Sequence, residues 1–248
     1  MISVCLASYN GEKFIAEQIQ SILSQLTNSD ELVISDDSST DSTIDIIKSF
    51  SDPRIKLLIH NKRPKNILHK YEYTTANFSN AINNCSGDYI FLSDQDDIWL
   101  PNKISTFKYY FNFSDIIMSN CSYIDEYNNI ILDSRFDNIS LNTRFFSNIL
   151  FNKYQGSCMA FKRVVLSMVS PIPQSVPHDM WIGVLGSLYF KTSLCYSSTL
   201  LYRRHSNTVT SQLNEKSNST LFVKIYFRIL FFFIVFARVI SKFRNKKF

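Results

Sequence analysis

This 248-residue chain lacks the short motifs of several common chemistries. Its five cysteines, Cys5, Cys85, Cys121, Cys158 and Cys195, form no CxxC pair, which argues against a zinc site. Their odd number and mostly apolar surroundings suit reduced core thiols in a cytosolic compartment. No GxGxxG follows the first apolar run and no GxxxxGK[ST] occurs anywhere, so dinucleotide-fold and P-loop readings fall away. An EF-hand is excluded because neither its loop glycine nor its closing glutamate is placed correctly. Glycine and proline are scarce, at five and six residues, while hydrophobic residues make up 45%. That balance describes a well-filled core and not a disordered chain. No basic region precedes the short N-terminal apolar run, so no signal peptide is expected. Acid is missing from the C-terminal stretch: residues 216–248 hold eight of the 26 Lys and Arg and no Asp or Glu. The net charge of +5 therefore hides a body, 1–215, with 18 basic against 21 acidic residues, and a basic tail.

What is present alternates. Ile2–Ala7, Glu31–Ser35, Ile55–Ile59 and Tyr89–Ser93 are apolar runs of strand type. Between them Phe14, Ile15, Ile19, Ile22, Leu23 and Leu26 mark one helical face, Ile44, Ile47 and Phe50 a second, and Tyr71–Asn84 a third. Such alternation, with polar residues at strand C-termini, predicts an α/β fold whose site lies on that edge of a mainly parallel sheet. Further on the pattern predicts a helix from Pro101 to Phe113, a strand at Asp115–Ser119 and a hairpin at Tyr123–Leu132. It then predicts a strand at Gly156–Phe161, a short helix at Arg163–Val169, a proline-rich loop at 171–177, a helix from His178 to Phe190 and a last strand at Leu194–Tyr202. Residues 206–220 read as a linker.

Four clusters carry chemistry. Asp94-Gln95-Asp96-Asp97 ends the fourth apolar run, and alternate acids there can offer oxygens to one hard cation. A solvated acidic turn is the plainer alternative. Asp36-Asp37 ends the second run, where an acid can accept hydrogen bonds from a base or ribose, or simply cap a helix. Asp179 opens a helix beside His178 and Trp181; it reads as an N-cap or as a general base. Arg203-Arg204-His205 could hold phosphate, complete a metal shell or form a solvated loop. His60 and His69 have no evident partner and read as structural.

As a set these pieces resemble the family 2 glycosyltransferases of the nucleotide-diphospho-sugar transferase (glycosyltransferase-A) fold, especially rhamnosyltransferase-like enzymes of bacterial O-antigen and capsule assembly. The matching residues are Ala7-Ser8-Tyr9-Asn10-Gly11, Ser35–Thr43, Asn77-Phe78, Gly87–Pro101, His178-Asp179-x-Trp181 and Tyr202-Arg203-x-His205-x-x-Asn207, in order across roughly residues 1–210. The resemblance implies a catalytic region over 1–210, with a nucleotide-binding half at 1–100 and an acceptor half at 101–210. It implies donor-nucleotide contacts from Ala7, Tyr9, Asn10, Asp37, Asn77 and Asp94, and diphosphate contacts from Arg203 and His205. It also implies an acceptor pocket at His178 and Trp181, Asp179 as catalytic base, and Mg2+ or Mn2+ held by Asp96 with Asp94 and His205. The donor would be a UDP-, GDP- or dTDP-sugar, the acceptor a glycan or lipid-linked oligosaccharide, the reaction inverting, and nucleic acid no partner. Two departures stand out: Ser38 replaces the glycine many members carry after Asp37, and the QxxRW motif of processive synthases is absent, so transfer of one sugar is expected.

The segment 211–248 is a linker and a helix. Its longest uncharged run, Ile229–Ala237, is nine residues, against about 20 needed to cross a bilayer. Lys224, Arg228, Arg238 and Lys242 fall within roughly 80° of arc on a helix, opposite a Phe-rich remainder. This predicts an amphipathic helix at an anionic membrane surface, 221–247, with its cationic stripe toward the head groups, on the cytoplasmic face of the inner membrane; a core or oligomer-interface helix is the plainer alternative. Two rival functions fit parts of the pattern: a haloacid-dehalogenase-type phosphatase, from the apolar run and DxD, and a nucleotide-sugar-binding membrane protein without activity.

Overall fold

The structure, a computed structural model, describes residues 1–61, 71–138, 143–205 and 221–245. His69, Asn207 and the linker-like 206–220 lie outside them. In chain order the elements are β1 (Ile2–Ser8), α1 (Ile15–Leu23), β2 (Glu31–Asp36), α2 (Thr43–Ser49), β3 (Ile55–Ile59), α3 (Tyr71–Asn83), β4 (Tyr89–Asp94) and β5 (Ile98–Trp99). There follow α4 (Lys103–Phe111), β6 (Ile116–Ile124), β7 (Ile130–Leu132), α5 (Phe145–Leu150), β8 (Met159–Lys162), α6 (Leu166–Val169), α7 (His178–Gly186), β9 (Thr192–Arg203) and α8 (Leu221–Asn245). Among the described residues nine strands form one sheet, ordered β3-β2-β1-β4-β8-β6-β9-β5, with β7 paired to β6. The mixed, mainly parallel architecture expected from the alternation is present, flanked by helices.

The register decides where the site lies. β1 pairs in parallel with β2 on one side and β4 on the other, so that Ser8 meets Asp36 and Ala7 meets Asp94. The chain leaves β1 toward β3, then returns across it to β4, and a crevice opens at such a reversal. β8 runs antiparallel to both β4 and β6, and β9 runs parallel to β6. The C-termini of β1, β2, β4, β6 and β9 therefore share one edge, to which they bring Ser8, Asp36, Asp94, Tyr123 and Tyr202. Burial explains the strand compositions: in β1, Ile2, Val4, Cys5 and Leu6 are all buried, as a strand covered on both faces requires. All five cysteines are buried and unbridged.

Three boundaries differ from expectation. β6 runs unbroken to Ile124 because its interior polar residues find partners: Ser119 Oγ and Thr199 Oγ1 are 2.7 Å apart, and Asn120 Nδ2 donates to Ser134 Oγ at 2.9 Å. Gly156–Cys158 is a 3-10 turn, and β8 begins only at Met159. α7 stops at Gly186, short of Phe190.

The tail corrects its predicted orientation. α8 is a helix, but Arg238 faces the protein, its Nη1 donating to Met168 O (3.3 Å) and Ser170 O (2.8 Å) and its Nη2 to Pro171 O (2.6 Å). Arg228 Nε donates to Leu150 O at 2.5 Å. Carbonyls left over at the ends of α5 and α6 attract these guanidiniums. No described helix is long and apolar enough to cross a membrane.

Candidate functional site

A cavity of about 1080 Å³ opens at the shared strand edge. One wall comes from the strand ends. Ala7, Tyr9 and Asn10 follow β1, Asp37 follows β2, Asn77 projects from α3, and Asp94, Gln95 and Asp96 close β4; all line the cavity. Several bonds hold this wall rigid. Gln95 accepts from Tyr9 N through Oε1 (2.8 Å) and donates to Tyr9 O through Nε2 (3.0 Å), tying the β1 loop to the β4 loop. Gly11 is required beneath it, since a Cβ there would sit 2.3 Å from Gln95 Oε1. Asn77 Nδ2 donates to Ser8 O at 3.0 Å.

The two adjacent acids after β2 divide their work. Asp36 is buried and accepts from Ser8 Oγ (2.8 Å), Ser39 N (2.7 Å) and Ser39 Oγ (2.7 Å), so it folds the loop. Asp37 faces the cavity and pairs with His60 Nδ1 at 3.1 Å. His60, expected to be merely structural, is thus the residue that orients Asp37. Ser38 adopts φ 60°, a left-handed backbone that glycine accepts more readily, which accounts for the glycine common at this place in the family.

Carboxylates crowd the cavity floor. Asp94 is pushed up to about 8 by burial first, then by repulsion from Asp96 and Asp179. Asp96 Oδ2 is 2.8 Å from His205 Nε2, so the β4 acid and the imidazole beyond β9 meet as expected. Asp97, by contrast, is buried and accepts from Arg203 N at 3.0 Å; burial and the neighbouring Asp96 and Asp94 raise it well above the usual range. It anchors β9 and makes no cap to α4. Oxygen ligands from one or two carboxylates, completed by substrate phosphates, are what Mg2+ or Mn2+ takes, and the mutual repulsion of Asp94, Asp96 and Asp179 is what such an ion relieves. The donor set fits a divalent cation. Among the described residues no group of three acidic, His or Cys side chains forms a ready metal cage.

Further lining comes from the second half of the chain. Pro177 leads into α7, and Asp179, half-buried in its first turn, lines the cavity beside His178. Asp179 Oδ1 accepts from Met180 N at 2.7 Å. His178 is stacked on Phe78, ring centroids 4.1 Å apart, and burial lowers its pKa. Its Nε2 is buried with no protein partner. Trp181 is not part of this lining. It lies two residues from Asp179, about 200° around the helix, and is buried with Nε1 donating to Val169 O at 2.7 Å. Tyr154, which does line the cavity, was not singled out by the sequence. It rests against Gly183, where a Cβ would stand 2.3 Å from its ring. Gly183→Ala is accordingly expected to cost about 1–3 kcal/mol of stability by overpacking, read as a lowered Tm.

The basic pair also exchanges roles. Arg203, expected at the diphosphate, lies behind the wall: Nε donates to Asp96 O (2.7 Å), Nη2 pairs with Glu17 (2.7 Å), and the guanidinium covers the Phe14 ring at 4.5 Å. Arg204 lines the cavity instead, over the rings of Tyr123 (4.9 Å) and Tyr202 (5.1 Å). Strand alternation puts neighbours on opposite sides, and the end of β9 sets which arginine is which. Lys13 and Arg135 add further positive charge to the cavity lining.

The mixed α/β sheet with a crevice at its strand edge is the architecture of the glycosyltransferase-A fold. The chain belongs to Glycosyl transferase family 2, whose pattern it matches over residues 3–168. It is 28% identical over 221 residues to the UDP-Glc:alpha-D-GlcNAc-diphosphoundecaprenol beta-1,3-glucosyltransferase WfgD of Escherichia coli, covering 85% of this chain and 80% of that protein. A shorter match, 38% over 104 residues and 40% of this chain, is to the dTDP-rhamnosyl transferase RfbG of Shigella flexneri, of which it covers 34%. Among solved structures it is similar to S. aureus TarS in complex with UDP (TM-score 0.62, 16% identity), with 82% of this chain covering 60% of that one. It is also similar to the mannosyltransferase PcManGT of Pyrobaculum calidifontis in complex with GDP-Man and Mn2+ (TM-score 0.55, 17% identity), with 79% of this chain covering 56% of that one. The phosphatase alternative is set aside by the family and by the place of the DxD on the fourth strand and not the first.

Proposed function

We propose that this protein is an inverting, metal-dependent glycosyltransferase that moves one sugar from a nucleotide-diphosphate donor to a hydroxyl of a lipid-linked oligosaccharide in surface-polysaccharide assembly. The observation that carries this reading is the convergence of Asp94, Asp96, His205 and Asp179 on one cavity whose β1–β2 wall presents Asp37. In this reading Ala7, Tyr9, Asn10 and Asn77 shape the nucleoside pocket. Asp37, oriented by His60, accepts an N–H of the base. Asp96, with Asp94 and His205, would hold Mg2+ or Mn2+, which supplies charge neutralisation to the departing nucleoside diphosphate. Arg204 adds positive charge on the far side. Asp179 accepts the proton of the attacking acceptor hydroxyl, and the buried His178 Nε2 offers the acceptor a hydrogen bond. One displacement inverts the anomeric carbon, and no protein nucleophile is needed. The similarity to WfgD supports a lipid diphosphate acceptor, and in this reading the reaction runs at a membrane surface, on its cytoplasmic face.

The test is transfer from UDP-, GDP- and dTDP-sugars to a GlcNAc-diphospho-lipid with Mn2+ present. One donor is expected to give product, and product from none of them overturns the reading. Chelation with EDTA is expected to lower transfer by about 100-fold or more, and added Mn2+ or Mg2+ to restore it. Transfer undiminished by EDTA removes the ion from the mechanism.

A further inference from the structure

We infer that α5 and α8 together form a lipid-docking face that borders the acceptor end of the cavity. Its lipid-linked occupant rests on the proposed function, but its docking does not. α8 is fastened to the protein on one side: Phe231 and Val235 are buried, Phe231 lies edge-on to Trp181 at 6.4 Å, and Arg228 and Arg238 bond to backbone carbonyls. The opposite side is apolar and open, with Tyr226, Ile229, Phe232, Phe233 and Phe236 all exposed. The neighbouring α5 extends it through Phe146 (71% exposed) and Leu150 (50% exposed). Apolar surface gathered in this way marks a docking site.

Charge selects the occupant. Residues 216–248 contain no acid, and Lys242 and Arg244 close the described end of α8. A second copy docked face to face would bring two wholly cationic tails together. An anionic bilayer meets the same features favourably, with aromatic and aliphatic side chains in the acyl boundary and cations among the phosphates. The arrangement reverses the predicted one, since Arg228 and Arg238 hold the helix to the protein and leave only the end of α8 to supply head-group contacts.

Position links this face to the site. The Phe227 ring is 6.2 Å from that of Tyr71, and Tyr71 lines the cavity. Asn152 and Tyr154, just past α5, line it too. The sugar of a lipid-linked acceptor can therefore enter the cavity while its chain stays in the bilayer.

Flotation of the full chain with phosphatidylcholine vesicles, with and without phosphatidylglycerol, tests this. Wild type is expected to float with the anionic vesicles and less with the neutral ones. Phe146→Ser/Leu150→Ser changes only exposed α5 side chains and leaves the Arg228 contact to the Leu150 backbone; it is expected to reduce the bound fraction about tenfold, with Tm unchanged. Phe233→Ser/Phe236→Ser should do the same from α8. The inference is overturned if wild type fails to float, or if the α5 pair floats like wild type. It is also overturned if the patch instead drives a concentration-dependent dimer that both variants abolish. Transfer by wild type to a short-chain soluble acceptor separates the two readings: no flotation of wild type with transfer intact sinks the docking face alone, and flotation without transfer sinks the enzyme reading alone.

Discussion

Asp179→Asn is expected to lower kcat by about 10³-fold while donor affinity changes by no more than about twofold. The amide keeps the size and the contact to Met180 N, which Asp179 Oδ1 now accepts, but it cannot take a proton from the acceptor. Donor binding should survive because Asp179 comes from α7, a different element from those that carry Ala7, Asp37 and Asn77. It should even tighten slightly, since removing this charge relieves the repulsion that helps raise Asp94. Calorimetric titration of the donor nucleotide beside a turnover assay separates the roles. Unchanged kcat would reduce Asp179 to a helix-end acid. Wild-type donor binding with no turnover to lose would identify a sugar-nucleotide binder without activity.

Much of this site was legible because its parts sit at strand ends. A parallel strand buried on both faces reads as a short apolar run, and the polar residue that stops it marks the edge where ligands bind. Ser8, Asp36 and Asp94 could thus be placed on one edge before any register was known. Asp36 and Asp37 were distinguishable only in part, because the serines that occupy Asp36 arrive from β1 and from the loop itself. His60 was unreadable as the partner of Asp37: 23 residues apart in sequence, they meet because β3 lies beside β2. Trp181 and Arg203 misled for a related reason. An aromatic beside an acid, or an arginine beside a histidine, looks like site chemistry, but helical and strand periods turn each toward the core. The tail misled through its arginines, which satisfy carbonyls at the ends of helices that no pattern within 221–248 discloses.

Arg203→Leu is expected to destabilise the protein by roughly 2–4 kcal/mol, because several acceptors lose their donor at once. Arg203 is 1% exposed and binds three separate pieces of chain. Besides Asp96 O and Glu17, its Nη1 reaches Asp125 O at 3.3 Å and Asn128 Oδ1. Leucine leaves the part-buried Asp96 and Asp125 carbonyls without this donor and frees the β4 loop that carries Asp96. Lysine should not rescue, because a single ammonium cannot span these acceptors. Glu17 is half exposed and returns to water at little cost, so Glu17→Gln should cost under about 1 kcal/mol. This contrast decides what Arg203 does. A diphosphate ligand would lose donor affinity on substitution and keep its denaturant midpoint. A residue that builds the loop from behind should lose stability first, and donor affinity only as the Asp96–His205 pair loosens. Urea melts with and without saturating nucleotide distinguish the two, and an unchanged midpoint would return Arg203 to the diphosphate.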